Sequence, residues 1–136
     1  MKHFIGIVFL VFLGCSSCFA QYSEQYSNCI NKAATQAGMN ICASEEARSA
    51  DAAVNDIYQK LLSAAADQPV RAEKIRAVER AWISYRDAYV EAMYPAKDKQ
   101  AAYGSIFPME VDILRTRLTR LQIEALKDLQ KAVRSR

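Results

Sequence analysis

Only three prolines, Pro69, Pro95 and Pro108, and four glycines interrupt this chain of 136 residues. Proline lacks a backbone donor and clashes with the preceding turn, so it divides helices rather than sitting inside them. The stretches between these breaks are rich in Ala, Leu, Arg, Lys, Gln and Glu, which favour helix. From Gln36 to about Ala66, apolar or small residues fall at Met39, Ala43, Ala47, Ala50, Val54, Ile57, Leu61 and Ala65. Steps of three and four make this one long amphipathic helix. Thr35 offers its hydroxyl as the N-cap. Pro69 suits the first turn of a second helix, running to about Met93. Its stripe is Ile75, Val78, Trp82, Tyr85, Tyr89 and Ala92. A third helix, from about Met109 to Val133, carries Val111, Leu114, Leu118, Leu121, Ala125 and Leu129. Residues 24–33 form a short helix or turn, and 94–108 the longest irregular connection. The expectation is an all-α fold: an antiparallel bundle of three long helices with a short, disulfide-tethered N-terminal helix.

The first twenty residues follow a different plan. Lys2 and His3 precede an unbroken apolar run, residues 4–13, and then small residues lead to Ala20. That is the layout of a secretory signal peptide, and the run is too short for a comfortable membrane span of roughly 20 residues. Cleavage before Gln21 leaves a single domain, residues 21–136, with no transmembrane span in the mature form. The competing site is Leu13-Gly14-Cys15, which has the look of a lipobox and would anchor the chain as a lipoprotein through Cys15. The localisation implied is periplasmic or secreted. Export leaves Cys29 and Cys42 as an even pair in an oxidising compartment, which reads as a disulfide.

The same reasoning narrows the chemistry. The only histidine, His3, leaves with the signal peptide. Catalytic triads, Cys–His pairs and His-based zinc sites then have no members, and no Gly-rich phosphate loop exists. No metal or other cofactor is implied. Asp51 with Asn55, and Asp87 with Glu91, share helix faces, but such pairs are ordinarily solvated. Net charge is +3. The basic excess lies late in the chain: residues 97–136 carry nine basic and five acidic groups, residues 21–96 eight and ten. RTRLTR, residues 115–120, reads as the solvated face of a helix. No aromatic residues interleave with it, so nucleic acid is not an expected partner.

Residues 81–89, AWISYRDAY, concentrate the remaining interest. Arg86 follows Trp82 by four, so its guanidinium can lie along the indole and reach a neighbouring helix. A carboxylate should receive it there, and Asp51 on the first long helix is the candidate. The order of such elements resembles the LprI-like family, lysozyme-inhibitor-type domains long described as of unknown function. Residues 29–43, CINKAATQAGMNICA, are similar to its opening pair of cysteines. Asp51, Asn55 and Tyr58 resemble its Asp-x-x-x-Asn-x-x-Tyr element, and Trp82, Arg86 and Asp87 its Trp-x-x-x-Arg-Asp core. Gly104-Ser105 is similar to its Gly-Ser loop, and Leu118-Thr119 with Leu126 to its closing helix. Family members often carry a second cysteine pair, after the Arg-Asp and before the Leu-Thr. Val90 stands in the first neighbourhood and residues 111–115 hold no cysteine, which supports pairing Cys29 with Cys42. Gln122 stands where the family tends to have Arg.

The resemblance implies an exported binding protein without enzymatic activity, whose partner is a lysozyme or another cell-wall hydrolase. An inhibitor must fill a cleft that works with two carboxylates. Tyr94, Lys97, Lys99, Tyr103, Ser105 and Phe107, in the connection after the second helix, are candidates to contact that partner. The rival expectation is a periplasmic interaction or immunity-type module with no effect on lysozyme.

Overall fold

The computed structural model describes residues 22–134. The expected signal peptide, residues 1–20, and Cys15 lie outside them. Among the described residues there is no strand. The helices are α1 (Glu24–Lys32), α2 (Gln36–Ala64), α3 (Pro69–Met93), α4 (Lys99–Tyr103) and α5 (Phe107–Arg134), with a 3₁₀ turn (Gly104–Ile106) before α5.

Local chemistry sets most of these boundaries. The Thr35 hydroxyl accepts from the Gly38 amide at 3.1 Å and caps α2. Pro69 opens α3, where its missing amide costs nothing. The connection after α3 is more regular than expected. Asp98 accepts from the Ala101 amide at 2.9 Å and nucleates α4 from KQAAY. Gly104 then turns the chain at φ 70° and ψ −163°, a region open essentially to glycine alone. No atom lies within 4 Å of where its Cβ would stand, so Gly104→Ala tests the backbone alone. The expected loss is about 1–3 kcal/mol, read as a lower Tm with unchanged helicity.

The three long helices alternate in direction. Gln36 meets Met109 and Asp51 meets Thr119, so α2 and α5 run the same way. Leu61 and Ala65 share a core cluster with Ala72 and Ile75, while Arg86 reaches back to Asp51, so α3 runs against both. α2 and α5 form the closest pair. Ala43 and Ala50 on α2, with Thr116 and Thr119 on α5, are buried, and small side chains allow close approach. The Thr116 hydroxyl is satisfied by the Asp112 carbonyl at 2.8 Å. α3 stands further off. Two apolar clusters fill the interior: Val54, Leu61, Ala65, Ala72, Ile75 and Leu126 at one end, and Val90, Val111, Leu114 and Leu118 at the other.

The stripes of α3 and α5 are rotated from expectation. Val78, Tyr85 and Leu121 are 43, 56 and 63% exposed, and Ala92 and Ala125 are exposed too. The inward side of α3 runs instead through Ala72, Ile75, Glu79, Trp82, Arg86 and Val90. Both helices carry apolar arcs wider than the face they bury, and their neighbours cover the polar edge of each arc.

α1 is fastened rather than buried; none of its residues is fully enclosed. Cys29 and Cys42 form a disulfide with a Cα–Cα distance of 5.7 Å. Just before α1, the Ser23 amide and hydroxyl both donate to Glu46 on α2, as does Arg120 on α5.

Candidate functional site

Between the two apolar clusters lies a polar seam, built from one residue set per helix. Asp51 comes from α2, Glu79, Trp82 and Arg86 from α3, and Asp112, Arg115, Thr119 and Gln122 from α5. The i, i+4 spacing of Trp82 and Arg86 sets the guanidinium 4.9 Å from the indole centroid. Arg86 Nη1 donates to Asp51 Oδ1 at 3.3 Å, and Nε to Asp87 Oδ1 at 3.3 Å. The Thr119 hydroxyl, fully buried, donates to the same Asp51 oxygen at 3.4 Å.

Exposure decides what this arrangement is worth. The Arg86 side chain is 17% exposed, but Asp51 and Asp87 are 56% and 55% exposed. Ion pairs with such solvated acids contribute little. The acid that needs Arg86 is Glu79. Burial raises its pKa, while the charge of Arg86 opposes the rise. Glu79 Oε2, Gln122 Nε2 and Arg115 Nε are buried without a hydrogen-bond partner. Burial likewise raises Asp112, with Arg115 opposing and Asp51 reinforcing the rise. Arg86 therefore holds together a seam that would otherwise favour a neutral carboxyl.

Folding that raises a carboxyl's pKa makes the folded state bind the proton more tightly. The stabilisation is present in acid and is lost as pH rises from the ordinary carboxylate range through the raised value. Glu79→Gln cannot charge, so it should raise Tm by a few degrees near neutral pH and leave it unchanged in acid. Thermal melts across pH check this; an equal gain at all pH values would contradict the burial argument.

Glu46 has the opposite character. It is 5% exposed. Burial works against its charge, but the donors from Ser23 and Arg120 outweigh it and lower the pKa. Its contribution is present above the ordinary glutamate range and is lost as pH falls through the lowered value. Glu46 is not among the candidates the sequence singles out, although a signal exists: Ala43, Glu46 and Ala50 step by three and four, so a charge stands in phase with core positions.

The other residues singled out from the sequence are dispersed. Asn55 is exposed, and Tyr58 packs half-buried against the cluster around Leu61. Tyr94, Tyr103 and Phe107 pack on one another with ring centroids 5.2–5.5 Å apart. Tyr94 and Phe107 also pack against the Val90–Leu118 cluster. The Tyr103 hydroxyl accepts from the Ala96 amide at 3.1 Å. Lys99 is held by Glu91 at 2.7 Å and by the Tyr94 carbonyl. The Ser105 carbonyl accepts from Asn40 at 3.1 Å. Lys97 and Ser105 are exposed at this corner.

Among the described residues no group of three or more His, Cys, Asp or Glu side chains is placed to hold a metal, and no helix is long and apolar enough to cross a membrane. Such a molecule belongs to a class of small disulfide-tethered helical domains whose most distinctive residues form a structural seam. Its family can be named. The family described as lysozyme inhibitor LprI matches residues 29–126, and the chain belongs to it. An uncharacterized protein of Rhizobium meliloti (strain 1021) is 31% identical over 134 residues, covering 90% of this chain and 93% of that protein. No solved structure matches the chain at a significant level.

Proposed function

We propose that this chain is an exported binding protein that inhibits a lysozyme by occluding its cleft without covalent chemistry. The observation that carries the reading is the family match from Cys29 through the seam to Leu126. The disulfide fits an oxidising compartment. In this reading residues 1–20 direct export, residues 21–136 act in the periplasm or outside the cell, and the protein performs no catalysis. Lysozymes work with a pair of carboxylates beside sugar subsites, so an inhibitor succeeds by contact and exclusion alone. The test is a turbidity assay on cell-wall suspensions. Purified residues 21–136 should slow clearing by at least one of the c-type, g-type or bacterial lysozymes at micromolar concentration. Undiminished clearing by all three would reject inhibition. Capture of a different envelope partner would then favour an interaction module.

A further inference from the structure

α3 and α5 turn polar residues inward and leave apolar ones facing solvent on a shared flank. On α5, Arg117 and Leu121 are exposed four residues apart, beside the buried Leu114. On α3, Val78, Tyr85 and Met93 are exposed along a strip that also carries the half-buried Tyr89. The two faces meet: Tyr89 packs against the cluster containing Leu114 and Leu118, and Tyr85 lies 5.8 Å from Tyr89 between ring centroids. At one end Met93, Tyr94, Leu114 and Arg117 line an open groove of about 230 Å³. Tyr22 closes its rim, with Arg120 set over the ring at 5.7 Å.

We infer that this α3–α5 flank is the surface that enters the lysozyme cleft, an inference that rests on the inhibitor reading above. Charge complementarity selects the occupant. Arg117 is exposed and makes no ion pair among the described residues. Glu110, the acid lining the groove, faces the Tyr94 hydroxyl. The flank thus presents an unspent cation amid aromatic and apolar side chains. A cleft with two carboxylates between sugar subsites is its chemical complement: guanidinium for carboxylate, rings for sugar faces. Met93 and Leu121, 52% and 63% exposed, would be covered on docking. The α4 corner offers less, because its aromatic rings and Lys99 are already engaged internally.

The experiment compares inhibition by wild type, Arg117→Glu, Arg117→Ala, Leu121→Glu and Lys97→Ala, each with a thermal melt. These side chains are exposed, so Tm should stay close to wild type. Arg117→Glu and Leu121→Glu should weaken inhibition by about tenfold or more, as central interface positions do, and Arg117→Ala by less. Lys97→Ala should inhibit normally. Wild-type inhibition that survives both Arg117 variants and Leu121→Glu would overturn the docking face and leave the inhibitor reading standing. Loss of inhibition in Lys97→Ala alone would also overturn it. A wild type that slows no lysozyme would overturn both.

Discussion

Arg86→Ala should lower stability by about 2–3 kcal/mol, near 10 °C in Tm for a domain of this size. The loss has two parts. The guanidinium covers the Trp82 indole, and truncation leaves that contact empty. It also opposes the burial of Glu79, and an uncompensated buried carboxylate is costly. The exposed acids Asp51 and Asp87 add little, so Asp51→Asn should be mild beside Arg86→Ala. Glu79→Gln made on the Arg86→Ala background should recover part of the loss, a coupling that a double-mutant cycle measures directly. Arg86→Lys keeps the charge but lacks the planar fork and should fall between. An Arg86→Ala protein with unchanged Tm would show that the seam does not hold α3 in place.

Removing the disulfide should cost a similar amount. A crosslink spanning 13 residues stabilises by about 3 kcal/mol in the chain-entropy model, because it restricts the unfolded chain. Alanine at both positions avoids burying a new polar group where Cys42 is only 2% exposed. Cys29→Ala/Cys42→Ala should melt lower by about 10 °C and be nicked by protease within α1. The site follows from packing, since α1 has no fully enclosed residue and its other fastening, the Ser23–Glu46–Arg120 tie, lies at its N-terminal end. Reductant should reproduce the shift in the wild type and leave the double variant unmoved.

Much of this was legible in the sequence for stated reasons. Thr35 and Pro69 mark helix starts by their own chemistry, and the structure begins α2 and α3 there. An even pair of cysteines after an expected signal peptide points to Cys29–Cys42, and the i, i+4 rule sets Arg86 over Trp82. The rotation of the stripes was not legible. On α3, Val78 and Tyr85 fit a helical period as well as Glu79 and Arg86 do, and hydropathy favours the former. The inward polar edge is held by contacts that spacing does not show: Arg86 reaches Asp51 on α2, and its charge opposes the burial of Glu79. Thr116 and Thr119 were hidden for a related reason: the close α2–α5 approach needs small residues more than apolar ones. Asp98 has cap chemistry, but the helix it starts is five residues long, too short to show a periodic stripe. Arg120, 74 residues from Glu46, shows no spacing rule that would pair them.

The inhibitor reading meets its most direct test in a defined reaction. Lysozyme turnover of a soluble chito-oligosaccharide is followed with and without purified residues 21–136. Occlusion of the cleft predicts that added protein, from the micromolar range upward, raises the apparent KM in proportion to its concentration and leaves kcat unchanged. Turnover that stays the same at every protein concentration, with lysozymes of all three classes, would contradict the account.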